Sequence, residues 1–257
     1  MAAAGILAGA SIKASAVTFT ASGTGVGGDA LQATATFQTL AGNELQITLA
    51  NSETGDAHTT ANLLTEIFFN GASGLTPVSA IVPAGQLEWN SGVSTTLSSN
   101  LDVGTGWGYG YTGGSGDESL GNNPPHNATD AISSAGTGNW LGHSDFGGPR
   151  TSLDGAPYGL VPLGFMSTGG THDGLSNGQS DPTFENTVVL TLSNWTGSLS
   201  SIANVSFQYG TMTSDTNLTA TPEPTTAGCF LIGLGILAVT RRFKQNGRVR
   251  FLLIKHR

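Results

Sequence analysis

A glycine-rich run near the start of this 257-residue chain is the first pattern that could do chemistry. Gly23, Gly25 and Gly28 fit the G-x-G-x-x-G spacing that cradles a dinucleotide pyrophosphate, but that use requires a helix directly after the glycines. Residues 29–40 instead alternate polar and apolar side chains, which is typical of a strand. We therefore interpret the glycines as a β-turn between two strands.

Ser144 lies in a sequence that partly fits the nucleophile elbow of hydrolases. The elbow needs G-x-S-x-G with a helix after the serine. Gly142 stands correctly, but Phe146 occupies the second glycine position, and no helical periodicity follows. A hydrolase that uses Ser144 or a carboxylate pair is therefore the least favoured function, and we expect a protein that is not an enzyme.

Metal-ligating residues lack the spacing of a known site. The single cysteine, Cys229, falls in an apolar run near the C-terminus. Acidic residues in glycine-rich loops, at 113–118 and at Asp173 and Asp181, could bind calcium, but a solvated acidic surface is the simpler interpretation. We expect no metal and no cofactor. The four histidines between residues 17 and 221 form no H-E-x-x-H pair: His58, His126, His143 and His172.

Three aromatic residues, Trp107, Tyr109 and Tyr111, alternate with glycine. Alternate residues of a strand point to one face, so the rings could form a stacking platform for a sugar. The alternative is that the rings pack on the edge of the domain, since large aromatic side chains bury area wherever they can. The platform makes a carbohydrate-binding module the second candidate function.

The elements that position these residues are predicted to be strands. Residues 31–37 and 45–49 alternate around Ala41-Gly42-Asn43 and predict a hairpin with one buried face. Residues 104–148 are rich in glycine and indicate a loop region that could contain short strands. We predict an all-β fold, an antiparallel β-sandwich of the jelly-roll type over residues 17–221. Further strands are expected at 17–21, 63–69, 78–82, 187–193 and 203–209, the last with Ala203, Val205, Phe207 and Tyr209 on one face.

The charges are divided unevenly along the chain. Charged residues make up 10% of it, against about 25% in ordinary soluble domains. Between Val17 and Thr221 there are sixteen acidic side chains and one basic side chain, Arg150, which gives a net charge of −15. Because binding to phosphates needs clustered Lys or Arg, this section is predicted not to bind nucleic acid.

Both ends carry patterns typical of export. Residues 1–16 are apolar and end in Ala14-Ser15-Ala16, a site that signal peptidase could cleave, although no basic residue precedes the apolar run. An upstream start would explain that gap, and a frayed apolar N-terminus is the alternative.

At the other end, Pro222, Glu223 and Pro224 precede an apolar run at 225–240, and Arg241, Arg242 and Lys244 follow. Sixteen residues of helix span about 24 Å, somewhat less than the roughly 30 Å hydrocarbon core of a membrane, so we expect a marginal transmembrane helix. The alternative is that this run is a buried segment of a protein core. The basic residues would stay on the cytoplasmic side as a membrane stop.

This three-part tail resembles the PEP-CTERM sorting signal of bacterial surface proteins. Pro222, Glu223 and Pro224 match the family's motif, and residues 33–37, 45–51, 106–110 and 202–211 loosely resemble its exported β-rich domains. The resemblance implies signal peptidase and exosortase as processing partners. It also implies an inner-membrane precursor that is delivered to the cell surface, outer envelope or extracellular matrix, in association with exopolysaccharide. Residues 245–257 extend beyond the family pattern and are expected to form a cytoplasmic basic extension.

Overall fold

The computed structural model describes residues 16–55, 57–90, 93–113, 120, 124–136, 144–147, 157–163, 165, 182–212 and 214–223. Within these residues the chain forms two β-sheets joined by loops and single 3₁₀ turns, which confirms the predicted all-β class. The chain divides into two units, Met1–Thr221 and Pro222–Arg257, and Pro222 and Glu223 are the described part of the second. The signal-like segment up to Ser15 and the apolar and basic tail from Pro224 onward lie outside the described residues.

The first sheet has seven strands. One edge is the short strand at residues 221–222, and the five pairs of neighbouring strands that follow it across the sheet are all antiparallel. The order across the sheet is β17 (Thr221–Pro222), β1 (Ala16–Thr24), β2 (Ala30–Leu40), β3 (Glu44–Asn51), β14 (Thr187–Ser193), β5 (Thr76–Val82) and β8 (Leu101–Asp102).

The second sheet has ten strands and is mixed, because the strands at Leu160–Val161 and Thr183–Glu185 are parallel. Its main path runs β11 (Ser144–Asp145), β9 (Gly108–Tyr111), β10 (Asp130–Ser133), β4 (Leu64–Asn70), β12 (Leu160–Val161), β13 (Thr183–Glu185), β6 (Leu87–Asn90) and β7 (Val93–Thr96). Two further strands, β15 (Ala203–Tyr209) and β16 (Asn217–Thr219), pair with each other, and β15 also pairs with β4.

The predicted hairpin at residues 31–49 is confirmed as β2 and β3. Phe37 pairs with Ile47 and Ala35 with Leu49, and all four side chains are fully buried. The turn between the strands places Gly42 and Asn43 at positive φ, a backbone conformation that these two residue types tolerate best. The alternation of apolar residues therefore identified the correct buried face.

Strand β15 has the predicted bounds, and three of the four residues predicted to share one face are buried. Val205, Phe207 and Tyr209 are buried, whereas Ala203 is exposed. The register with β4 shifts between Ala203 and Ser206, and such an irregularity interrupts the alternation of faces. The prediction that Ala203 points inward is therefore wrong.

Apolar side chains from both sheets form one shared core. Phe37 of β2 packs against Phe69 of β4 with ring centroids 5.3 Å apart and an interplanar angle of 64°, an edge-to-face contact across the two layers. Strand β4 is also buried on its other face, where Phe68 contacts Leu120, Ala128 and Ala131. Strand β4 also pairs with three other strands, β10, β12 and β15, so it lies in the interior of the second sheet.

Candidate functional site

The first two residues of the Pro-Glu-Pro motif lie where the described chain ends. Thr221, Pro222 and Glu223 are all exposed, and β17 ends at Pro222. Extended, exposed backbone is the form in which a protease binds a processing site. The other tail residues that the sequence singled out, Pro224, the helix predicted at 225–240, and Arg241, Arg242 and Lys244, lie outside the described residues. In the part of the chain that is described, no helix has the length and apolar character needed to cross a membrane.

The three aromatic residues of the predicted sugar platform face the protein interior. Trp107 and Tyr109 are 0% exposed, and Tyr111 is partly buried against the same core. The rings of Tyr109 and Tyr111 stack with centroids 5.9 Å apart. Trp107 and Tyr109 belong to the core that the two sheets share, and Tyr111 packs against it. The structure therefore corrects the platform prediction: Trp107 and Tyr109 present no ring face to a sugar, and the alternative of internal packing describes them.

A buried hydrogen-bond cluster surrounds Asp130, next to these rings. The hydroxyl of Tyr109 lies 2.8 Å from Asp130 Oδ1 and 3.0 Å from the carbonyl oxygen of Ala72. Asp130 Oδ2 accepts from Thr129 Oγ1 at 2.6 Å, and from the Ala72 amide and Ser73 Oγ at 3.3 Å each. These contacts tie the loop between β4 and β5 to β9 and β10.

Burial controls the protonation of this cluster. It raises the pKa of the Asp130 carboxyl above its ordinary value of 3.8, and the hydrogen bonds that Asp130 accepts offset this only in part. Burial, and then the nearby Asp130 charge, raise the pKa of Tyr109, so the phenol stays protonated. Both side chains are buried and hydrogen-bonded to each other. We therefore interpret the cluster as a structural clamp that holds the loop after β4 to the second sheet. The sequence analysis missed this cluster. The sequence signal for it was an acidic residue, Asp130, directly before the apolar residues Ala131 and Ile132 of a short buried strand.

The described residues around Ser144 do not form a nucleophile elbow. It belongs to the two-residue strand β11 and pairs with Tyr109. The chain continues through Phe146, which is buried, to Gly147, whose backbone abuts Gly104. No helix begins between Ser144 and Gly147. Gly142 and the neighbouring His143 lie outside the described residues.

The glycine run of the suspected dinucleotide pattern is a turn, as predicted. A 3₁₀ turn at Val26–Gly28 joins β1 to β2, with positive φ at Gly27 and Gly28. Asn62 holds this turn: its amide donates to the Val26 carbonyl at 2.9 Å and to Asp29 Oδ2 at 2.6 Å. With strands on both sides, the turn has no helix N-terminus to aim at a phosphate.

The described histidines have protein partners rather than metal-site geometry. His58 Nδ1 lies 2.8 Å from Asp29 Oδ1, and His126 Nε2 lies 3.0 Å from Asn217 Oδ1. Burial acts to raise the pKa of Asp29, but hydrogen bonds from His58 and Asn62 outweigh it and hold that pKa below 3.8. Among the described residues there is no group of three ligands suited to a metal ion. The candidates at His143, His172, Asp173, Asp181 and most of 113–118 fall outside them.

An open groove of about 290 Å³ lies at the β1 edge of the first sheet. Sequence reasoning missed this groove. The alternation of Thr, Ser and Gln along β1 and β2 was readable, but nothing local indicated that residues some 200 positions later would complete its wall. The lining residues are Thr20, Ala21, Ser22, Gln32, Thr219 and Thr221.

Comparisons with known proteins give no family assignment for this arrangement. The chain matches no family model, and neither curated proteins nor solved structures show a significant match to it.

Proposed function

We propose that this protein is an exported, non-enzymatic protein of the cell surface or extracellular matrix. In this proposal a jelly-roll-like sandwich is carried to the envelope by a PEP-CTERM tail. Exosortase processes that tail near Pro222, Glu223 and Pro224, a transmembrane helix at 225–240 holds the precursor in the inner membrane, and the matured domain associates with exopolysaccharide.

One observation carries the proposal. The Pro-Glu-Pro motif begins where the β-domain's last described strand ends, and its first two residues are exposed. The sequence then continues with an apolar run at 225–240 and a basic segment at 241–257 that contains seven of the chain's nine Lys and Arg residues. A sorting signal needs this order, because a protease must bind extended chain between a folded domain and its membrane anchor.

The charge distribution supports the same assignment. The section 17–221 carries −15, whereas seven of the nine basic residues follow residue 240. Cationic residues beside an apolar segment resist translocation, and an acidic, nearly base-free domain stays soluble outside the cell.

The test is truncation of the tail in the bacterium that makes the protein, followed by cell fractionation. Removing 222–257 should release the protein from the envelope or leave it mislocalised. A matched truncation that removes only 245–257 should still reach the surface, because the motif, apolar run and basic stop remain. Surface retention of the 222–257 deletion at the wild-type level would overturn the proposal. Intact mass of the surface form should in addition place a cleavage near Pro222.

A further inference from the structure

The groove at the β1 edge belongs to a larger surface with an unusual composition. The outward side chains of β1, β2 and β3 are almost all Thr, Ser, Gln or Ala, and the one ionisable residue among them is Glu44 at the start of β3. Exposed edge strands such as those beside this groove ordinarily carry charged side chains, especially Lys, which block pairing with another chain. A face with one ionisable residue on an acidic domain therefore calls for a functional explanation.

These side chains lie in register across the strands. Thr18 pairs with Thr36, and Thr36 with Thr48, so three threonines form one row; Thr20 and Thr34 begin the next row. Thr18 and Thr36 share a hydrogen bond of 3.0 Å between their hydroxyls. Strand geometry spaces such groups about 4.8 Å apart between strands and roughly 6.7 Å apart along a strand. The face is thus an ordered array of hydroxyls and amides.

The groove adds depth to this array. Thr20, Ser22 and Gln32 line its floor from the outward face, while Thr219 and Thr221, both exposed, come from the end of the domain. Ser22 and Gln32 are register partners, so their side chains lie side by side. Every polar side chain in the lining is neutral, and each can both donate and accept hydrogen bonds.

We propose that this groove and the adjoining threonine face bind a neutral polysaccharide. Hydroxyls and an amide without fixed charge match the alternating donors and acceptors of sugar hydroxyls. An acidic polymer would find no cation among the described residues that line the groove and would be repelled by a section, 17–221, of net charge −15. The proposal rests on the proposed function, because it names the ligand class of a matrix protein, and it places binding on the first sheet rather than at Trp107, Tyr109 and Tyr111.

The test uses the full-length protein in native gels that contain dextran, laminarin or alginate, with a polyoxyethylene detergent that has no sugar headgroup. The protein should be retarded by dextran or laminarin, which are neutral, and not by alginate, which is acidic. The triple variant Thr20→Val, Ser22→Ala, Thr221→Val removes three hydroxyls at nearly constant shape and should weaken retardation roughly tenfold or more. The control Ser94→Ala, Thr95→Val, Thr96→Val makes the same changes on the exposed strand β7 and should bind normally.

Several results would overturn the proposal: no retardation by either neutral polymer, equal retardation by alginate, or a groove variant that binds like the wild type. If the groove variant instead dissociates a dimer in sedimentation and no glycan binds, the face belongs to a second copy of the chain. Should the triple variant not fold, Gln32→Ala at an exposed position provides the same comparison. Binding by purified protein and retention on cells are separate measurements, so failure of this proposal is distinguishable from failure of the sorting proposal.

Discussion

The hydroxyl of Tyr109 lies 2.8 Å from Oδ1 of Asp130, inside the sandwich and away from solvent. The same hydroxyl also lies 3.0 Å from the carbonyl oxygen of Ala72. The Tyr109 hydroxyl donates toward both acceptors in a three-centre arrangement, so one side chain contacts both the carboxyl group of β10 and the loop that follows β4. A residue that sequence patterning offered as a sugar contact thus holds a loop to the sheet.

Replacing Tyr109 with Phe should destabilise the protein. The change removes a hydroxyl whose partners are buried, and stranded polar groups cost about 1–3 kcal/mol in the free energy of unfolding. Tyr209→Phe is the matched control, because the Tyr209 hydroxyl is buried without a hydrogen-bond partner among the described residues. Urea denaturation should show a loss for Tyr109→Phe and none for Tyr209→Phe. Equal effects of the two changes would contradict the clamp.

Asp130 should make stability fall as the pH rises. Its pKa is raised in the folded protein, so the folded state holds the proton more tightly than the unfolded chain does. This contribution is fully present below the unfolded pKa near 3.8 and is lost as the pH rises through the folded pKa. The unfolding free energy of wild type minus that of Asp130→Asn should therefore decrease from pH 3 to pH 7. An increase over that range would show that the folded protein prefers the carboxylate.

Asp29 should show the opposite dependence. Hydrogen bonds from His58 and Asn62 overcome burial and lower its pKa, so the folded state prefers the carboxylate. The contribution is present above about 3.8 and is lost as the pH falls through the lowered folded pKa. The unfolding free energy of the wild type minus that of Asp29→Asn should therefore increase from pH 2 to pH 5. A flat difference would mean that the interactions of Asp29 are equally strong in both protonation states.

The contact between Phe37 and Phe69 should contribute measurably to the packing of the two sheets. Phe69→Ala leaves a cavity at a fully buried position and should cost about 3–5 kcal/mol in the free energy of unfolding. A double-mutant cycle with Phe37→Leu and Phe69→Leu should give a coupling of about 0.5–1.5 kcal/mol for the edge-to-face pair. Strictly additive effects would indicate that the rings contribute area alone.

Gly104 should not tolerate a side chain. A Cβ there would lie 2.7 Å from the backbone nitrogen of Gly147, and backbone cannot move aside as a flexible side chain can. Gly104→Ala should therefore destabilise the protein by about 1–3 kcal/mol. Gly55→Ala is the control, since the nearest atom to a Cβ at that position is 3.7 Å away on the Glu53 side chain. Thermal melts that shift equally for both variants would contradict this close approach.

Local sequence determined much of the strand pattern. Strand β14 and strand β15 have the predicted bounds, and the hairpin of β2 and β3 buries the predicted residues. These features follow from alternation between adjacent residues, which is a local property. The order of motif, apolar run and basic cluster in the tail is equally a property of the sequence alone.

Tertiary structure decided which side chains reach solvent. Alternation predicts that Trp107, Tyr109 and Tyr111 share a face, but it does not predict what covers that face. In the structure, Trp107 and Tyr109 belong to the core and Tyr111 packs against it. The inward prediction for Ala203 failed because a register shift against β4 interrupts the alternation. The groove forms only where Thr219 and Thr221 lie beside Thr20 and Ser22 and complete its lining. Contacts between residues some 200 positions apart depend on how whole strands pair and pack, and no local pattern encodes that arrangement.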